Sequence, residues 1–144
     1  APEYAVMYER LKESLDLQCN EFAQLQVVEY MKNYDVEGYI RKIQAAYKEK
    51  CDLMLSLMEE NFPASVKFTR PEGGMFIWVE LPEGLDADGI LDEAVEAGVA
   101  YIPGEFFYAN DGAKNTMRLN FTTVSEEQIR KGIVLLADVL KKHA

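Results

Sequence analysis

Val66-Lys67-Phe68-Thr69-Arg70-Pro71-Glu72-Gly73-Gly74-Met75-Phe76-Ile77-Trp78-Val79-Glu80-Leu81 is the stretch where the periodicity of the chain changes. Val66 to Thr69 alternates apolar and polar residues, as a half-buried strand does. Met75 to Leu81 is rich in β-branched and aromatic residues, which pack well on a pleated surface. Between them, Pro71-Glu72-Gly73-Gly74 carries the chemistry of a tight turn, so the two runs predict a β-hairpin. Pro82-Glu83-Gly84 closes the second strand.

Upstream of the hairpin the spacing is helical. Tyr4, Tyr8, Leu11 and Leu15 recur on one face, with Pro2 suited to a first turn. After a break at Gln18-Cys19-Asn20, a second stripe runs through Phe22, Leu25, Val28 and Met31. A third, longer helix is predicted from Val36, Ile40, Ile43, Tyr47, Cys51, Met54 and Met58 on one face. Asn61-Phe62-Pro63 ends it, because proline disfavours helical geometry in the residue before it.

Downstream, a short helix is expected to start near Asp86 or Asp88 and to stop before Gly98, a residue suited to the left-handed position after a helix end. Val99 to Ile102 reads as a strand ended by Pro103-Gly104, and Met117 to Phe121 as a further strand. Ser125 and Gln128 have the spacing of a capping box for a last helix with Ile129, Ile133, Leu136 and Leu140 on one stripe. From residue 36 the order is helix, strand, strand, helix, strand, strand, helix. That order predicts an α+β fold, with helices on one face of a small, mostly antiparallel sheet. The first 30 or so residues have no sheet of their own.

Composition narrows the function. The 144 residues are 49% apolar and 28% charged, the balance of a globular chain. At this length roughly 68–70% of the unfolded surface becomes buried, enough for one hydrophobic core. A net charge of -10 argues against nucleic acid, which needs a surplus of Lys and Arg. No apolar run is long enough to cross a bilayer and no signal pattern opens the chain, so a cytoplasmic location is the expectation. Cys19 and Cys51 are expected to be buried or half-buried free thiols. His143, the single histidine, offers neither a zinc set nor a Ser-His or Cys-His pair.

One side chain stands out locally. In Met117-Arg118-Leu119-Asn120-Phe121, strand alternation turns Met117, Leu119 and Phe121 to the core and Arg118 and Asn120 to the other side. An arginine there is ordinarily solvated, yet its planar fork matches a carboxylate through two parallel hydrogen bonds. Phe76, Trp78, Tyr101, Phe106, Phe107 and Tyr108 are expected to be mostly core packing, with a minority lining a pocket edge.

Pro71-Glu72-Gly73-Gly74-Met75-Phe76-Ile77-Trp78 resembles the P-x-G-G-M-F-x-W segment of fold-type-I, class I aminotransferases, nearest the branch of 2-aminoadipate and kynurenine aminotransferases. Further similar segments follow in the family's order: Ala97 to Gly104 with Phe106-Phe107, Met117 to Phe121, and Ile129 to Leu140. Asp16-Leu17-Gln18 with Gln24 is similar to the stretch after the family's cofactor lysine. The resemblance covers essentially the whole chain. It implies that residues 36–144 form the small C-terminal domain and residues 1–35 the helical tail of the large domain. Arg118 takes the place of the arginine that binds the substrate α-carboxylate, Gly74 and Phe76 fall where the small domain approaches the substrate side chain, and Gln18 to Asn20 fall in a stretch that approaches the partner subunit's active site.

The same resemblance implies pyridoxal 5'-phosphate as cofactor, amino acids and 2-oxo acids as substrates, and a homodimer when intact. The cofactor serves as electron sink, leaving orientation of the substrate to the protein. The Schiff-base lysine and the other cofactor ligands of the family match nothing in this sequence. The expectation is therefore a piece cut from a longer polypeptide and inactive alone. Two other readings compete: the aminotransferase-like domain of a winged-helix transcription regulator, and a free-standing α+β interaction module. The module is disfavoured, because the helices of residues 1 to 30 would leave their apolar stripes exposed.

Overall fold

A computed structural model describes residues 2–16 and 19–143. Their contacts divide the chain into two compact units, residues 1–42 and 43–144. The boundary falls inside one helix.

The first unit is helical. Helix α1 spans Pro2–Leu15 and α2 spans Glu21–Asn33. Asn20 starts α2 by accepting a hydrogen bond from the Ala23 amide at 3.1 Å, which satisfies a donor the helix itself leaves free. Asp35 does the same for α3 (Val36–Asn61), accepting from the Gly38 amide at 2.8 Å. The predicted stripes are present but uncovered: Leu11, Phe22, Leu25 and Met31 are all more than half exposed. Cys19 is exposed as well, against expectation, while Cys51 is buried as expected.

The second unit holds the core. The later turns of α3 bury Cys51, Met54, Leu55 and Met58. Strands β1 (Lys67–Phe68) and β2 (Phe76–Glu80) form the hairpin, with Phe68 opposite Val79. Their connection is longer than a tight turn, and Thr69 bridges it by exchanging bonds with the backbone of Trp78. Helix α4 covers Leu91–Ala97. It ends as predicted at Gly98, whose φ of 97° lies in the left-handed region that glycine adopts without penalty. Its start differs, because Asp86 spends its carboxylate on the turn amides of Asp88 and Gly89 instead of on a helix cap.

The third strand is shorter and later than expected: β3 is Ile102–Pro103, followed at once by a 3-10 turn, η1, over Gly104–Phe107. Strand β4 is Thr116–Asn120, and α5 is Glu126–His143. The capping box forms, with the Ser125 amide donating to Gln128 Oε1 at 2.8 Å and the Gln128 amide donating to Ser125 Oγ at 3.2 Å. The sheet is antiparallel throughout, in the order β1-β2-β4-β3. Its core face, formed by Ile77, Val79, Met117 and Leu119, joins Met58 of α3, Ala94 of α4 and Ile129, Leu136 and Leu140 of α5 in one cluster. Apart from Ala94, each such apolar side chain contributes about 1.5–3 kcal/mol through burial. The expected α+β arrangement, with helices on one sheet face, is the one observed.

Candidate functional site

The opposite sheet face is built by alternation. Phe76 and Trp78 of β2 and Thr116, Arg118 and Asn120 of β4 point away from the core, with Trp78 directly opposite Arg118 and Phe76 opposite Asn120. Arg118 also faces Ile102 of β3. Turn η1 follows β3 and brings Phe107 onto this face.

Arg118 lies close to two rings. Its guanidinium carbon is 3.9 Å from the centre of the Phe76 ring and 4.1 Å from that of Phe107. Such stacking holds a cation's plane through the quadrupole of each ring. Among the described residues nothing hydrogen-bonds or ion-pairs with the side chain, and its buried Nε has no partner. A buried donor left unpaired costs about 1–3 kcal/mol. A guanidinium packed against aromatic rings, with no carboxylate of its own, has the chemistry to take an anionic ligand through the fork.

Asn120, on the same face, is already committed. Its Oδ1 accepts from the amides and hydroxyls of both Thr122 and Thr123, at 2.9 to 3.2 Å, closing the turn after β4. Lys50 of α3 fastens the same turn by donating to the carbonyls of Thr122 at 2.9 Å and Val124 at 2.6 Å. Nothing in the local spacing around Lys50 signals this role.

The aromatic expectation needs correction. Of the six aromatics, Tyr101 alone is buried in the core, where its hydroxyl donates to the Ala87 carbonyl at 2.6 Å. Burial pushes that hydroxyl's pKa well above its ordinary range. The other five gather on the far face or stand exposed, since β2 alternation and the 3-10 turn carry them away from α3 and α5. Trp78 meets Phe107 and Tyr108 edge-on, at centroid separations of 5.9 and 6.1 Å. Gly104 makes this packing possible: a Cβ there would collide with the Thr116 side chain and lie 2.9 Å from Trp78 Cη2.

Of the candidate residues, Phe76 is brought against Arg118. Gly74 is not: with a φ of 86° it lines a separate cavity of 390 Å³ together with Gln44, Tyr47, Cys51 and Phe121. A second cavity, of 360 Å³, lies between Gly98, Val99 and α5. Gln18 lies outside the described residues, and Asn20 serves as the α2 cap. Phe107 escaped assignment to the site. The available signal was the pair Phe106-Phe107 one residue after Pro103-Gly104, too short a segment to bury two adjacent rings.

The chain matches known proteins along most of its length. The family described as "Aminotransferase class I and II" matches residues 13–136. Aromatic-amino-acid aminotransferase 1 of Thermococcus litoralis is 48% identical over 142 residues, which are 99% of this chain and 34% of that protein. The 2-aminoadipate transaminase of Thermus thermophilus is 38% identical over 143 residues, 97% of this chain and 35% of that protein. Kynurenine aminotransferase of Pyrococcus horikoshii, whose crystal structure is a complex with PMP, superposes with a TM-score of 0.87 at 46% identity, covering 99% of this chain and 35% of that one. Uncharacterized helix-turn-helix transcriptional regulators of Escherichia coli are also similar, at 26% identity. The chain spans about a third of the length of the curated relatives it matches, 34% and 35%.

Proposed function

This chain belongs to the aminotransferase class I and II family, and from that membership we propose that it is the substrate-closing part of an amino-acid aminotransferase. In this reading residues 36–144 are the small C-terminal domain, and residues 1–35 are the tail of the large domain. The intact protein moves an amino group between an amino acid and a 2-oxo acid. Arg118 binds the substrate α-carboxylate, and Phe76 lies toward the substrate side chain.

One observation carries the reading: Arg118 has no hydrogen-bond partner among the described residues, lies over the rings of Phe76 and Phe107 and is directed away from the core. A carboxylate gains two charge-assisted bonds from such a fork and displaces no resident partner. Holding it fixes the orientation of Cα, which is where positioning lowers a barrier. Moving Arg118 with its sheet toward the substrate would also exclude water from the reacting centre.

Pyridoxal phosphate, the family's cofactor, supplies the electron sink for chemistry at Cα. The residues of this chain do not fit the task of holding it. A Schiff-base lysine needs a desolvated amine. Every lysine here is exposed except Lys50, and that one is spent on two carbonyls. In this reading cofactor binding rests with the large domain, and this chain alone is inactive. The uncovered apolar side chains of α1 and α2 support an interface with a larger domain or a second subunit, in keeping with a cytoplasmic homodimer. The regulator reading is less favoured, because the enzymes are 38–48% identical and the regulators 26%.

The test is Arg118→Lys in the full-length protein. A point charge cannot reproduce the fork. Losing one charge-assisted bond of about 1.5–3 kcal/mol lowers kcat/KM about 10- to 150-fold, mainly through KM. Unchanged turnover and KM for amino acid and 2-oxo acid would sink the assignment.

A further inference from the structure

We propose that Phe107 is a positioning residue of the carboxylate site: its ring and that of Phe76 clamp the Arg118 guanidinium plane in the orientation that receives the substrate. The proposal rests on the assignment of Arg118 to the carboxylate.

Among the described residues, Arg118 lacks a polar partner to hold it. A long, rotamer-rich side chain loses freedom when it is pinned by a ligand, and that loss weakens binding unless the side chain is already fixed. Arginines are commonly fixed by a carboxylate or carbonyl, but either would occupy the donors the substrate needs. Here no such partner is present among the described residues. Two ring faces at 3.9 and 4.1 Å do the fixing instead, and they leave the N–H edge free.

The two rings are held differently. Phe76 is on β2, a central strand with partners on both sides. Phe107 is on a 3-10 turn and is 45% exposed, so its ring contributes little to the core. What keeps it over Arg118 is local. Gly104, lacking a Cβ, lets the turn approach Thr116 and Trp78, and the Trp78 ring meets Phe107 edge-on at 5.9 Å. The chain of placement runs from Gly104 and Trp78 to Phe107, and from Phe107 to Arg118.

The experiment uses the full-length protein and a pair of unreactive probes, 3-phenylpropionate and its neutral amide, 3-phenylpropanamide, with affinities measured by calorimetry. Phe107→Leu keeps apolar volume and removes the ring. It is expected to weaken the carboxylate about 3- to 30-fold, the span of a lost cation–π contact, and to raise KM more than it lowers kcat. The amide's affinity stays unchanged, and Phe107→Tyr restores the carboxylate. In an Arg118→Met background, Phe107→Leu has no further effect, since its influence passes through the missing guanidinium. Equal weakening of carboxylate and amide, or an effect that persists in the Arg118→Met background, overturns the proposal in favour of a scaffolding role. So does Phe107→Leu without effect where Arg118→Met weakens the carboxylate. If Arg118→Met leaves the carboxylate-to-amide ratio unchanged, the assignment of Arg118 falls first and the clamp with it. Should Phe107→Leu fail to fold, Phe107→Met is read by the same criteria.

Discussion

Replacing Gly104 by alanine tests the close approach that carries η1 onto the sheet. The new Cβ would run into the Thr116 side chain and lie 2.9 Å from Trp78 Cη2, closer than carbon atoms pack. Neither neighbour can yield cheaply. Thr116 is 3% exposed and its hydroxyl donates to the Ala113 carbonyl at 3.0 Å, while Trp78 is wedged against Phe107 and Tyr108. Overpacking of this kind costs about 1–3 kcal/mol. Turning Thr116 aside forfeits a hydrogen bond of about 1 kcal/mol. The backbone at Gly104 is outside the left-handed region, so alanine returns about 0.4–1 kcal/mol by restricting the unfolded chain. The net expectation is a destabilisation of about 1–3 kcal/mol. Gly132 is the matched control. It sits inside α5, where a Cβ would meet Val99 Cγ2 at an ordinary 3.9 Å. Gly132→Ala should stabilise by about 0.5–1 kcal/mol, the helix-interior difference between the two residues. Urea unfolding followed by fluorescence of Trp78, the single tryptophan, reports both. Two substitutions of the same sign, or a Gly104→Ala protein as stable as the parent, would refute the packing argument.

Two other outcomes follow from buried polar contacts. Tyr101 has its pKa raised by burial, so the folded state keeps the hydroxyl protonated after the unfolded chain, near the ordinary value of 10.0, has ionised. Its stabilising contribution is complete below that pH and is lost as pH rises above it, so alkaline urea midpoints should fall less steeply in Tyr101→Phe than in the parent; parallel curves contradict this. Lys50→Met strips the Thr122 and Val124 carbonyls of their donor and should cost about 1–3 kcal/mol, with a change of only a few tenths in urea unfolding ruling out the bridge as a stabilising contact.

The features legible in the sequence are those set by neighbours in the chain. The capping box of Ser125 and Gln128 involves residues three apart, and Gly98 ends α4 because its own φ permits it. Period-two alternation put Arg118 and Asn120 on the non-core side. The same local reasoning misjudged the aromatics, because composition does not say which face of a sheet the helices will cover. It also placed the third strand too early, since Pro103 and Gly104 do not reveal that the chain tightens into a 3-10 turn there.

By itself, then, the sequence determined most element types, the end of α4 and the start of α5, the side of the sheet that carries Arg118 and the family. Each of these depends on covalent spacing, backbone sterics or ordered motifs, all of which are written along one dimension. Only the tertiary structure decided that Phe107 would stack on Arg118 and that Lys50 would bind carbonyls as far as 74 residues away. These are meetings between distant segments, and they are settled by how the core face packs rather than by any residue's own preference.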